Sequence, residues 1–259
     1  MSRLAQTFSK GRPAFVAYIM GGDPDRAASQ ALMNALPAAG ADIIELGFPF
    51  TDPMADGPTI EEAGIRARKG GASLSSILEM ATSFRNEVDD TTPIIVMGYA
   101  NPVYQMGYDT FAEAAHKAGV DGAIIVDLPP EEDADLRAAM DRRGLSLIRL
   151  ATPTTDAERL PAVVSGSSGF VYYVSMTGVT GAALAQGGSV ANQVARVRDA
   201  SGLPVVVGFG VKTPERAAEI ARDADGVVVG SAIVKAMHEG GAEAALELVR
   251  SLSEATHNK

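Results

Sequence analysis

Hydrophobic residues gather along the chain into eight short runs, each nearly continuous rather than alternating with polar positions. The runs are AFVAYIM (14–20), DIIELGF (42–48), IIVMGY (94–99), GAIIVD (122–127), LSLIRL (145–150), GFVYYV (169–174), PVVVGF (204–209) and GVVVG (226–230). Short segments rich in Val and Ile predict strands, and continuous hydrophobicity predicts burial on both faces, as in a parallel sheet. The segments between them carry helix punctuation. Asp23-Pro24 and Thr213-Pro214 each offer an N-cap followed by proline at the first helical position, with Ser73 and Asp109 as further caps. Glycine closes helices in AGAD (39–42), AGVD (118–121) and RGLS (143–146).

Eight strands alternating with helices over 259 residues are the arithmetic of a (β/α)8 barrel. A doubly wound sheet is the competitor, but MGGDPD after the first strand lacks the spacing of its glycine fingerprint. The expectation is therefore α/β: one domain spanning 1–259, a single TIM barrel with additional short helices and no linker or repeat. One extra helix is expected near 60–69, in the longest gap, between the second and third strands. Long loops after barrel strands belong to the catalytic face.

Composition removes several function classes. The chain has no cysteine, which excludes thiolate catalysis, Fe–S clusters and Cys-based zinc sites. Of its three histidines, His116 lies in a helical stretch as a surface residue, and His238 and His257 fall in or near the C-terminal helical region. No pair has metal-ligand spacing, so no metal site is expected. A formal charge of -10 argues against nucleic acid, which needs clustered Lys and Arg. No apolar run approaches the roughly 20 residues that span a bilayer, and the N-terminus lacks a signal-peptide core. A soluble, cytoplasmic protein without membrane contact is expected.

The chemistry concentrates in ELGFPFTDPMADGP (45–58). Glu45 closes an apolar strand, where burying a carboxylate costs several kcal/mol unless it is protonated, paired or used. It is either a structural glutamate paired with a distant arginine or an acid/base whose pKa burial raises, and its place near a strand's C-terminal end favours the second. Asp52 and Asp56 stand in Asp-Pro and Asp-Gly pairs, ordinary turn chemistry, so each taken alone reads more readily as a turn cap. Pro49, Pro53 and Pro58 stiffen the loop. Later, VVGFG (206–210) and VVGSAIVKA (228–236) place glycine-rich ends after strands seven and eight, where barrels of this kind bind phosphate on the N-terminus of a short helix. GVTGA (178–182) is a third such element or a mobile lid. Tyr99 and Tyr172 end strands three and six, as core aromatics or as pocket walls.

The same long block, joined to GDP (22–24), YANPVY (99–104), TGVTGA (177–182), GFGVKTPE (208–215) and GSAIVK (230–235), resembles the tryptophan synthase α-subunit family in order from about Phe15 to Lys235. The first block is highly specific; GFG or GSAIVK alone is weak. The resemblance implies cleavage of indole-3-glycerol phosphate to indole and glyceraldehyde 3-phosphate, a retro-aldol reaction with no metal or cofactor in this chain. It places the family's catalytic glutamate and aspartate on Glu45 and Asp56. Glu45 would protonate indole C3 and then assist deprotonation of the glycerol hydroxyl, while Asp56, kept ionised, would hold the indole N–H. It also implies that Tyr172, Tyr18, Met97, Tyr99 and Thr180 line the substrate pocket or its lid. Gly181, Gly208, Phe209, Gly210, Gly230 and Ser231 match the phosphate site. The family works as an α2β2 complex that passes indole to a β subunit carrying pyridoxal phosphate, and Asp52, Pro53 and Pro129 match interface or coupling positions. Two departures stand out. Tyr18 replaces a frequent phenylalanine, and ALAQGG (183–188) lacks charges some members carry after the lid. A free-standing indole-glycerol-phosphate lyase is the alternative.

Overall fold

Parity along each strand decides which side chains fill the interior and which meet the helices. The computed structural model describes residues 1–174, 190–208 and 210–258. Among these, nine parallel strands form one sheet: β1 Ala14–Met20, β2 Ile43–Gly47, β3 Ile94–Gly98, β4 Gly122–Ile125, β5 Ser146–Leu147, β6 Arg149–Ala151, β7 Val171–Val174, β8 Val205–Gly208 and β9 Gly226–Val229. Val16, Ile43, Ile95, Ile124, Ile148, Tyr172, Val206 and Val228 pack together on one face. The alternate positions, including Phe15, Ile44, Val96, Ala123, Val171, Val205 and Val227, belong to a second core shared with the helices. Both faces are buried, which is why the runs are continuous.

The strands lie in the order β5-β4-β3-β2-β1-β9-β8-β7-β6. Only Ile148 separates β5 from β6, so the two ends of the sheet are one stretch of chain and the barrel is nearly closed. Each of the eight predicted strands is found. The fifth is divided because β5 pairs with β4 and β6 with β7. Hydroxyls of Ser168 and Ser167 accept the Leu147 and Arg149 N–H groups at 3.1 and 3.3 Å, replacing ladder bonds at the break.

Eleven helices surround the sheet among the described residues: α1 Arg3–Phe8, α2 Arg26–Ala35, α3 Pro58–Lys69, α4 Leu74–Glu87, α5 Ala100–Met106, α6 Tyr108–Lys117, α7 Ala134–Asp141, α8 Leu160–Val164, α9 Val190–Ser201, α10 Pro214–Ala221 and α11 Ser231–His257, the last broken at Gly241. None is long and apolar enough to cross a membrane. α1 plugs the barrel's N-terminal mouth: Leu4 joins the inner core, and the rings of Phe8 and Phe170 lie 5.8 Å apart. At the C-terminal mouth the extra helix α3 packs Ala63 and Ala67 against Tyr18 and Met20.

Ser73 caps α4 in a reciprocal box with Ser76, and Thr213 caps α10 ahead of Pro214. Two expected caps are corrected. α2 starts at Arg26, and the Asp25 carboxylate accepts its Ala28 N–H at 2.9 Å. Asp23 is instead buried and takes both arms of Arg66, at 2.7 and 3.0 Å. A desolvated carboxylate needs that paired partner, whereas the exposed Asp25 is free to cap. Asp109 lies inside the first turn of α6 and accepts from Arg142 at 2.7 Å; Gly107 is at the cap.

Candidate active site

Glu45 follows Ile43 in parity and points into the barrel, in register with Tyr18 of β1. It is 1 % exposed, and its Oε2 has no hydrogen-bond partner. The alternative of a glutamate held by a distant arginine is not what forms: among the described residues no cation pairs with Glu45, and Arg66 is committed to Asp23. An ionised carboxylate so placed is costly, and burial raises its pKa from 4.5 to about 8. Roughly nine-tenths of the molecules therefore hold this proton at pH 7. The group is a proton donor near neutrality that becomes a base after one transfer.

Asp56 is half-buried at the end of the loop leaving β2. The bend itself is a backbone turn, with the Asp56 N–H donating to the Pro53 carbonyl at 3.0 Å. No backbone N–H among the described residues bonds the Asp56 carboxylate, so the turn-cap explanation fails for its side chain. Burial pushes its pKa up and the Glu61 charge adds to this, while hydrogen bonding from Tyr99 opposes both. The Tyr99 hydroxyl accepts the Ala55 N–H at 3.0 Å, leaving its own proton for Asp56. Phe50 stacks on the Tyr99 ring, centroids 5.3 Å apart, and fixes it from the loop side. Tyr99 is thus buried and tied to the loop that carries Asp56.

Tyr18 and Tyr172 complete the enclosure. Burial raises both hydroxyl pKa values well above the ordinary range; the Asp56 and Glu45 charges add at Tyr18, and the Glu45 charge at Tyr172. Both carboxylates therefore face one space lined by neutral phenols. Met97, half-buried, packs between the inner core and the Tyr18 cluster. Two inward-facing glycines exist because of these rings. A Cβ at Gly47 would lie 2.3 Å from the Tyr18 hydroxyl oxygen, and one at Gly208 would lie 2.2 Å from that of Tyr172. Gly208, expected as a phosphate contact, thus has a packing reason of its own.

The remaining expected positions divide. Gly230 is the N-cap of α11 and supplies no side-chain cap, with Ser231 exposed as the first helical residue. Gly210, with φ 77°, turns the chain beyond β8. Thr180, Gly181 and Phe209 lie outside the described residues, as does the expected lid. Asp52 is exposed, and its carboxylate accepts, among the described residues, only the neighbouring Thr51 hydroxyl, at 2.5 Å; Pro53 is half-buried and Met54 is 77 % exposed. The loop thus turns Asp56 inward and Asp52 and Met54 outward. Pro129 is exposed at the rim of a cavity of about 380 Å³ that opens where β4 and β6 part, lined also by Val126, Leu128, Arg149 and Leu150. That cavity touches neither Glu45 nor Asp56. His257 is a structural latch, its Nε2 2.7 Å from Asp42, which also binds Lys10 and Arg12 at the barrel's N-terminal end. No group of three His, Asp or Glu side chains among the described residues is placed to hold a metal ion.

One residue escaped the sequence. Asp127, at the end of GAIIVD, accepts the Ala100 N–H at 2.7 Å. Its signal was the one that marked Glu45, a carboxylate closing an apolar run.

Fold and site together define a class: a (β/α)8-barrel protein with one buried, protonated acid near the C-terminal end of a strand and one hydrogen-bonded acid on the loop that follows it. Comparison with known proteins narrows that class. The family model for the tryptophan synthase alpha chain matches residues 4–259. The tryptophan synthase alpha chain of Novosphingobium aromaticivorans is 52 % identical over 261 residues, covering 100 % of this chain and 98 % of that protein. The crystal structure of tryptophan synthase subunit alpha from Legionella pneumophila superposes with a TM-score of 0.92 at 39 % identity, covering 100 % of both chains. A structure of Mycobacterium tuberculosis tryptophan synthase gives 0.88 at 40 % identity, covering 99 % of this chain and 98 % of that one. The chain belongs to the tryptophan synthase alpha chain family.

Proposed function

We propose that this chain, as one barrel domain, cleaves indole-3-glycerol phosphate to indole and glyceraldehyde 3-phosphate. Glu45 is the acid/base and Asp56 the partner of the indole N–H. The protonated Glu45 donates to indole C3, and Asp56 holds the N–H as positive charge develops on the ring. The carbon–carbon bond then breaks, its electron pair restoring the indole. The hydroxyl proton of the departing glycerol carbon returns to Glu45 as the aldehyde forms. One carboxyl gives and regains one proton per turnover, which requires a pKa near neutrality. The observation that carries this reading is the buried, unpartnered Glu45 with its pKa at about 8.

Tyr18, Met97, Tyr99 and Tyr172 form the indole pocket, with Thr180 on the lid. Gly181, Phe209, Gly210, Gly230 and Ser231 receive the phosphate, and the α11 N-terminus supplies its N–H groups and dipole. Gly208 acts mainly by leaving room for Tyr172. Asp52, Pro53 and Pro129 face a β subunit that carries the pyridoxal phosphate, in a cytoplasmic α2β2 assembly; the outward turn of Asp52 and Met54 supports this. Indole release by the isolated chain, alone and after adding a tryptophan synthase β subunit, tests the proposal. The expected result is weak activity alone and strong stimulation by the partner. Absence of indole in both would overturn the reaction, and full activity alone would make the chain a free-standing lyase.

A further inference from the structure

Helix α5 begins without a cap of its own. Its N-cap position is Tyr99, a residue type with no oxygen able to reach back to the first helical N–H groups, and no side-chain cap bond is made there. Tyr99 occupies that position because its hydroxyl is needed elsewhere, on the Ala55 N–H at 3.0 Å and beside Asp56. The missing cap comes from the neighbouring strand. Asp127, just beyond β4, accepts the N–H of Ala100, the first residue of α5, at 2.7 Å. A carboxylate there also lies favourably at the positive end of the helix.

We infer that Asp127 is a positioning residue for the reaction: by capping α5 in place of Tyr99, it fixes the backbone from which Tyr99 reaches across to hold Ala55 and Asp56. Three elements are joined in this order, the end of β4, the start of α5 and the loop after β2. Asp127 touches neither Glu45 nor Asp56, and acts through Tyr99 alone. The inference rests on the lyase reading for its catalytic consequence, but the linkage from Asp127 to Ala55 is readable without turnover.

Three variants and two readouts test it. D127A removes the acceptor, D127N keeps an oxygen acceptor, and Y99F removes the hydroxyl. Hydrogen exchange at the Ala55 amide should accelerate about tenfold in D127A and in Y99F and stay near wild type in D127N. In the lyase assay kcat should fall roughly 10- to 100-fold in D127A with KM changed less than about threefold. D127N should restore kcat, and D127A should add nothing in the Y99F background. Should D127A not fold, Ala100→Pro takes its place. Proline at the first helical position removes the donor while suiting the helix, and Tyr99, at φ -110 and ψ 155, already has the extended backbone that precedes proline. An Ala55 amide unchanged in D127A or A100P, or a D127A effect that adds in full to Y99F, would overturn the inference. Inactivity of the wild-type chain would count against the lyase reading alone, leaving the exchange result to decide this one.

Discussion

Replacing Glu45 with glutamine is expected to stabilise the fold, and by an amount that grows with pH. In the unfolded chain this carboxyl titrates at its ordinary 4.5, whereas burial in the barrel moves it to about 8. The folded state therefore holds the proton more tightly. Well below pH 4 both states are protonated and burial of the group carries no titration cost. Between the two values the unfolded chain ionises and the native one does not, so the cost climbs. Above pH 8 both ionise and it levels off at roughly 5 kcal/mol, taking about 1.4 kcal/mol per pKa unit. The same relation gives roughly 1 kcal/mol at pH 5 and roughly 3 kcal/mol at pH 7. Glutamine has nearly the same volume and does not titrate, so its own desolvation is a constant offset. The stability gain of E45Q over wild type should thus increase by about 2–3 kcal/mol from pH 5 to pH 7, and by about 1 more at pH 9. Urea unfolding at the three pH values, extrapolated to water, measures it. A gain independent of pH would show that Glu45 is not desolvated and is not a proton store.

Other consequences are equally specific. Gly208→Ala places a methyl 2.2 Å from the Tyr172 hydroxyl oxygen, so the ring must move; thermal unfolding should show a loss of about 1–3 kcal/mol. D42N leaves Arg12, Lys10 and His257 around a neutral amide and, since Arg12 and Lys10 keep contact with water, should cost about 1.5–3 kcal/mol at pH 7. Burial works against ionisation of Asp42, but His257 and Arg12 hold its carboxyl well below the usual range, so wild type should lose its advantage over D42N as pH falls below 3.8. D52A should leave the activity of the isolated chain intact while reducing stimulation by the β subunit, measured as the ratio of indole release with and without partner.

The barrel was legible because continuous Val- and Ile-rich runs admit few other arrangements, and the place of Glu45 near the end of DIIELGF already put it at the catalytic mouth. That it faces inward needed the register with Tyr18, because both faces of the strand are apolar. The division of the fifth strand was not legible, since LSLIRL is as continuous as its neighbours. Its break depends on hydroxyls of Ser167 and Ser168, contributed from a loop some twenty residues later. DPD offered two aspartates beside one proline, and only the buried partnership with Arg66 decides that Asp25 is the cap. Asp56 looked like turn chemistry because turns and sites both use short acids beside glycine; Tyr99, distant in sequence, separates the two. Gly208 suggested backbone freedom, whereas the limiting quantity is volume around Tyr172. Asp127 carried a visible signal, but nothing in the chain near Ala100 announces that helix α5 needs a cap from another strand.

The central claim is that Glu45 moves the protons of carbon–carbon cleavage. The direct measurement is indole release from indole-3-glycerol phosphate by wild type and E45Q, each with β subunit present, alongside affinity for a non-cleavable indole phosphate. The account predicts a loss of kcat of about 10²- to 10⁴-fold, as removal of a general acid/base entails, with affinity close to wild type. An E45Q enzyme turning over within tenfold of wild type would contradict it.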